Sequence, residues 1–161
     1  MKIIYVHHGN RLKGNPSTQD DDLTELGYKD CELVSELFNN EEIKNSIKAI
    51  YTSNFFRCTK TAEIINTYLN VKIIQDSRLN EFKSFKDETW VDCQDRIIHC
   101  LDDIIRRYNE QDIVICVTSG VNIGAFICKS FNIKPSENTP FLGVPSCSPI
   151  IFDFKKLSMY K

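Results

Sequence analysis

The sequence holds only three histidines, His7, His8 and His99, among its 161 residues. Any imidazole chemistry must be built from those three. It has no Cys-x-x-Cys and no close Cys/His cluster, although it has seven cysteines. A metal site of structural zinc type and a thioredoxin-type motif are therefore not expected. No stretch approaches the ~18 apolar residues that a membrane span needs. No apolar leader precedes the strand-like run Met1-Lys2-Ile3-Ile4-Tyr5-Val6, so a secretory signal is not expected either. Internal repeats and low-complexity linkers are missing. Large charge of one sign is missing too: 20 Lys and Arg stand against 22 Asp and Glu, a formal net charge of −2. That argues against a nucleic-acid partner held by bulk charge and against an acidic disordered tail.

What remains is a globular composition, 42% hydrophobic and 11% aromatic. A chain of this length is expected to form one domain over residues 1–161. The cysteines read as small core hydrophobes of a reduced, cytoplasmic protein. Cys93 and Cys100 read as the margin of the core. A lesser reading, a redox-sensitive thiol near a crevice, attaches to Cys116 and Cys147.

Apolar periodicity alternates between strands and helices. Strands are expected at Ile3–Val6, Ile47–Tyr51, Val71–Ile74, Ile113–Val117 and Ile150–Phe154. Thr24 is a good N-cap for a helix whose apolar face carries Leu26, Leu33, Val34 and Leu37. A second helix places Thr61, Ile65, Tyr68 and Leu69 on one stripe. A third opens near Trp90 and runs through Ile97, Ile98, Leu101, Ile104, Ile105 and Tyr108, with His99 beside the stripe and at the surface. A fourth follows Gly120 and continues to Phe131. Strands alternating with such helices predict an α/β class: a three-layer α/β/α sandwich around a mostly parallel sheet.

In such a sheet, ligands bind beyond the carboxyl ends of the strands. Three ends carry polar residues: His7-His8-Gly9, Thr52-Ser53-Asn54 followed by Arg57, and Thr118-Ser119-Gly120. Two of them lead into helix N-termini, where free N–H groups attract anions. An arginine in a first helical turn adds a fork that matches phosphate oxygens. The combination points to a phosphate site.

Five motif pieces in order resemble the histidine phosphatase superfamily, the phosphoglycerate mutase-like fold. They are His7-His8-Gly9 after a strand, Leu23-Thr24-Glu25-Leu26-Gly27 at a helix start, and Ser53-x-x-x-Arg57-x-x-x-Thr61-Ala62. Leu79-Asn80-Glu81 and Thr118-Ser119-Gly120 complete the set. The resemblance implies that His8 takes the phosphoryl group as nucleophile. It implies that Arg57 clamps the phosphoryl oxygens and that Glu81 protonates the leaving oxygen. Asn15, His7, Ser119 and Gly120 are expected around the phosphate. No cofactor and no metal are implied. The partners implied are a phosphorylated small molecule or a phosphoprotein, and phosphate ion, with no nucleic acid and no membrane.

Two departures stand out. His7 takes the place of the family's first arginine, and Ser119 that of its second histidine. Losing one preorganised donor typically costs about 10²–10³ in rate. Two losses would raise the barrier by roughly 5–8 kcal/mol if they added, which such effects often do not. The expectation is a phosphomonoesterase of reduced activity. The rival is a non-catalytic module that binds phosphate or a phosphorylated ligand. A protein phosphohistidine phosphatase is a third reading, and a mutase fits a chain this short less well. Protonated His7, or Arg11 swinging in from the adjacent loop, would restore some positive charge; a charged His7 would make activity rise at mildly acid pH. Ser119 lacks the flanking glycines of a hydrolase nucleophile elbow, because Val117 and Val121 stand there.

Overall fold

The computed structural model describes residues 1–12, 21–83, 86–133 and 143–154. Five strands form one sheet: β1 (Lys2–His7), β2 (Ile47–Thr52), β3 (Lys72–Gln75), β4 (Ile113–Thr118) and β5 (Pro149–Asp153). Their spatial order is β3-β2-β4-β1-β5; the first four are parallel and β5 runs antiparallel to β1. The helices are α1 (Glu25–Phe38), a single turn α2 (Glu41–Lys44), α3 (Phe56–Ile65), α4 (Trp90–Arg107) and α5 (Gly120–Ser130). Each expected strand is present, with ends shifted by one residue at most. Among the described residues no helix is long and apolar enough to cross a membrane.

The continuous apolar runs of β1, β2 and β4 follow from burial on both sheet faces. Ile3, Tyr5, Ala49, Tyr51, Val114 and Cys116 point into one core, shared with α4 and α5. Ile4, Val6, Ile50, Ile115 and Val117 point into the other, shared with α1 and α3. Helices therefore cover both faces, and the three-layer sandwich stands. The chain crosses from β1 over β4 to β2, and later from β4 over β1 to β5. Adjacent strands β1 and β4 thus feed helices on opposite faces. A crevice at their carboxyl ends follows from that divergence.

Local signals place the helices. Thr24 caps α1 by accepting the Gly27 N–H at 3.0 Å. Thr89 and Asp92 form a reciprocal capping box at the start of α4. The inner face of α1 differs from the one its leucines suggest. Gly27, Cys31, Val34, Ser35 and Phe38 are buried, whereas Leu26, Leu33 and Leu37 are 57%, 59% and 64% exposed. The reason is close packing. A Cβ at Gly27 would collide with the Asn10 carbonyl, and Ser35 Oγ reaches the Ile65 carbonyl of α3 at 3.2 Å. Small residues let α1 seat tightly, so its bulky leucines face outward. Tyr68 also departs from the expected stripe: α3 ends at Ile65, and Tyr68 lies exposed beyond it. All seven cysteines are free and buried. Cys93 and Cys100 are fully inside rather than marginal, and Cys116 lies in the core beneath the sheet rather than at the crevice.

Candidate active site

Alternation along β1 would send His7 and His8 to opposite faces of the sheet. At the end of the strand both still reach the same crevice. Their rings meet edge to face at 4.5 Å between centroids. His8 is tied to β4 by its backbone N–H, which donates to Thr118 O at 3.0 Å. His8 then faces α3, and His7 faces the N-terminus of α5.

The hydrogen bonds of His8 fix its tautomer. Nδ1 lies 2.8 Å from the Gly9 carbonyl oxygen, which can only accept. Nε2 lies 3.1 Å from Arg57 Nε, which can only donate. The ring therefore carries its proton on Nδ1 and a lone pair on Nε2. Burial first, then the adjoining His7 ring and the Arg57 and Arg11 cations, push its pKa down to about 3, against the pull of the Gly9 carbonyl. At neutral pH the imidazole is uncharged, with Nε2 basic and aimed at Arg57.

Arg57 enters from the first turn of α3 and is itself buried. Its guanidinium spans the site. Nε donates to His8, Nη2 forms an ion pair with Glu81, and the carbon centre stacks 4.5 Å from the Phe55 ring. Glu81 is partly exposed, at the rim. Gly9 N–H donates to Thr61 Oγ1 at 3.0 Å, and Thr61 donates in turn to the Arg57 carbonyl at 2.7 Å. One hydroxyl thus locks the turn after β1 to α3.

On the other side, Ser119 is buried and caps α5, where its Oγ accepts the Asn122 N–H at 3.4 Å. Its own hydroxyl proton remains available to a ligand. Gly120 packs tightly under the His7 ring: a Cβ there would sit 3.0 Å from His7 Cε1, so the ring would have to give way by a few tenths of an ångström. The His7 ring lies over this helix start, with Nδ1 donating to Val144 O at 2.7 Å. Burial lowers the His7 pKa, so its charged form needs lower pH than an ordinary histidine's. Arg11 is held in an ion pair by the buried Asp21 rather than reaching His8. His99 is exposed on α4. Asn15 lies outside the described residues.

The structure thus brings His7, His8, Arg57, Glu81, Ser119 and Gly120 to one crevice. The sequence reading missed Asn122. This buried side chain donates from Nδ2 to the Leu79 and Asn80 carbonyls at 2.9 and 2.8 Å. Its Oδ1 accepts the Phe82 N–H at 3.2 Å. It therefore brackets Glu81 from both sides. The available signal was a lone amide between Val121 and Ile123 in an otherwise apolar helix. Farther back, Asp76 and Asp103 grip Arg78, and Glu88 grips Arg96, whose Nη1 also reaches the Arg78 carbonyl. These pairs anchor the segment that delivers Glu81.

The family model described as the histidine phosphatase superfamily (branch 1) matches residues 4–86 and 82–158. A comparison with curated proteins gives no match. Solved structures of similar fold include YhfR of Bacillus stearothermophilus, with TM-score 0.74 and 22% identity over 93% of this chain and 89% of that one. A mycobacterial glucosyl-3-phosphoglycerate phosphatase complexed with VO3 has TM-score 0.75 and 18% identity over 93% and 90%. An Entamoeba histolytica phosphoserine phosphatase, complexed with 3-phosphoglyceric acid, has TM-score 0.74 and 17% identity over 96% and 91%.

Proposed function

The chain belongs to the histidine phosphatase superfamily, and from that premise we propose that it hydrolyses phosphomonoesters through a phosphohistidine on His8, at reduced efficiency. One observation carries this reading: the neutral His8 ring, anchored through Nδ1–H, holds its Nε2 lone pair beside the Arg57 guanidinium. A nucleophile and a phosphoryl clamp therefore share one point in space.

In the first step Nε2 of His8 attacks phosphorus and the ester P–O bond breaks. The leaving oxygen takes a proton that Glu81 has picked up from solvent once Arg57 has left its carboxylate. Arg57 withdraws from both His8 Nε2 and Glu81 and turns to the equatorial oxygens, which frees the Nε2 lone pair for attack and meets the charge that spreads in the transition state. Ser119 Oγ–H and the N–H groups at the start of α5 donate to the same oxygens, and His7 completes the lining on that side. Water then attacks the phosphohistidine, gives its proton to Glu81, and phosphate leaves with His8 restored. The substrate class is a phosphorylated small molecule or a phosphoprotein, in keeping with the glucosyl-3-phosphoglycerate, phosphoserine and putative phosphohistidine phosphatases that share the fold.

The rival, a phosphate-binding protein without turnover, draws support from Ser119. A capping serine cannot replace an imidazole as a charged donor to the phosphoryl group. A phosphatase panel separates the two. Wild type should hydrolyse p-nitrophenyl phosphate slowly and form an acid-labile phosphoprotein, His8→Ala should do neither, and His7→Arg with Ser119→His should gain rate. Turnover unchanged in His8→Ala refutes the mechanism. An inert wild type, with activity appearing only in the double substitution, establishes the binding protein. Failure of orthovanadate to bind removes both.

A further inference from the structure

Beyond the phosphate chemistry, Cys31 and Cys147 stand apart from the other thiols. They are separated by 116 residues in sequence, yet their Sγ atoms lie 3.3 Å apart. Among the described residues this is the one thiol–thiol contact. Cys31 belongs to the inner face of α1, and Cys147 to the short turn before β5. Cys147 has φ 55°, a left-handed conformation that side-chain-bearing residues seldom adopt. The turn holds that conformation and so aims the thiol at α1.

Both thiols connect to the residues that flank His8. The Cys147 backbone N–H donates to the His7 carbonyl at 2.9 Å. Cys31 Sγ lies directly under Gly9, where an added Cβ would be 2.8 Å away. It also lies 3.7 Å from Thr61 Oγ1, the oxygen that receives the Gly9 N–H.

We propose that Cys31 and Cys147 are a reversible dithiol/disulfide site whose closure shifts the His7-His8-Gly9 turn. Bond formation would draw the sulfurs from 3.3 Å to about 2.05 Å. The movement has to be taken up by α1, by the turn at Cys147, or by Gly9 above. The two thiols are not equivalent. The hydrogen bond shared with Cys147 stabilises a Cys31 thiolate and lowers the Cys31 pKa, whereas Cys147 is pushed up by the same contact and by burial. Cys31 is therefore the attacking sulfur.

With hydrogen peroxide as oxidant, the Cys31 thiolate attacks one of its oxygens, the O–O bond breaks, and the expelled hydroxide takes the proton the thiol gave up, so that sulfenic acid and water form. Cys147 sulfur then attacks Cys31 sulfur, and hydroxide leaves and takes the Cys147 proton as water. Two thiols and one hydrogen peroxide give one disulfide and two waters. Access comes through local opening of the turn carrying Cys147, which has no helix or ladder of its own. Cys58, Cys93 and Cys100 are different: burial pushes each pKa up to about 12 and leaves it a poor nucleophile.

The test treats the intact protein with stoichiometric hydrogen peroxide, blocks remaining thiols by alkylation under denaturing conditions, and maps the peptides. Two of the seven thiols should vanish, a Cys31–Cys147 linked peptide should appear, and dithiothreitol should reverse both. The His7 and His8 ring signals in NMR spectra should move with oxidation. Seven intact thiols across the peroxide series, or a link through any other cysteine, overturns the assignment. Unmoved histidine signals in the linked protein overturn the coupling to the turn. Cys31→Ser and Cys147→Ser should each abolish the paired loss. Wild-type mapping decides the question even if neither variant folds.

Discussion

A buried neutral histidine makes stability depend on pH in a calculable way. The perturbation is His8→Gln, which removes the titrating ring and keeps polar atoms at the position. Unfolded, the imidazole has a pKa of about 6.5. Folded, it is pushed down to about 3 by burial, the His7 ring and the Arg57 and Arg11 cations. Above about pH 6.5 neither state binds the proton, and His8 makes no pH-dependent difference. Between the two values the unfolded chain binds a proton that the folded chain refuses. Stability is therefore complete above the unfolded pKa and falls as pH drops toward the folded one. The slope is about 1.4 kcal/mol per pH unit. From neutrality to about pH 5 the loss is about 2 kcal/mol. His8 is only 5% exposed, so solvent screening takes little from this figure.

The assay is urea unfolding of wild type and His8→Gln at about pH 7.5 and about pH 5. Wild type should lose about 2 kcal/mol more than the variant between those conditions. His7 has its pKa lowered as well and adds to the loss in both proteins, so the difference between them is the share of His8 together with its coupling to His7. Equal losses in the two proteins would refute the argument. They would mean that the His8 ring is hydrated or rearranged when folded, and that Nε2 is not held as an uncharged acceptor.

Two further outcomes follow from the same geometry. Asn122→Ala should destabilise the protein by about 2–4 kcal/mol, because the Asn80 carbonyl and the Phe82 N–H each lose their bond to Asn122 while Leu79 O keeps the Thr118 hydroxyl. It should also lower kcat more than it raises KM, since it frees Glu81 rather than the phosphate clamp; denaturation midpoints with steady-state kinetics check both. Leu33→Lys on α1 should change stability by no more than about 0.5 kcal/mol, because that leucine is 59% exposed. A drop of several times that size in thermal unfolding would restore the leucine face as the buried one.

Much of the fold was legible because burial on two sheet faces leaves a simple mark. Ile113-Val114-Ile115-Cys116-Val117 is apolar throughout, and only a central strand needs that. Strand order carries no such mark: nothing in the run itself says that β4 inserts between β2 and β1. The face of α1 was misread because hydrophobicity favours leucine, whereas the packing distance set by Gly27 and Ser35 favours small residues. At the site, His8, Arg57, Glu81, Ser119 and Gly120 were legible as short motifs following strands. Asn122 was not, because its work is tertiary: it pairs with backbone atoms some 40 residues away. The Cys31–Cys147 contact was hidden for the same reason, since spacing along the chain says nothing about which thiols meet.

The pKa directions at the crevice bear on what the two substituted positions can supply. Burial keeps Nε2 of His8 unprotonated, which a nucleophile requires. The same burial lowers His7, so the residue standing where an arginine is expected is uncharged at neutral pH. Ser119 brings a dipole and no charge. Arg11 is committed to Asp21, and Arg57 is shared with Glu81. A phosphoryl dianion entering this crevice must draw Arg57 away from a carboxylate before it gains any cation of its own. More acid is needed to charge His7 than an ordinary histidine, and His8 resists protonation for the reason that makes it nucleophilic. The reduced efficiency proposed for this chain would then be built into the site: the desolvation that prepares the attacking nitrogen opposes charging a neighbouring imidazole in place of an arginine.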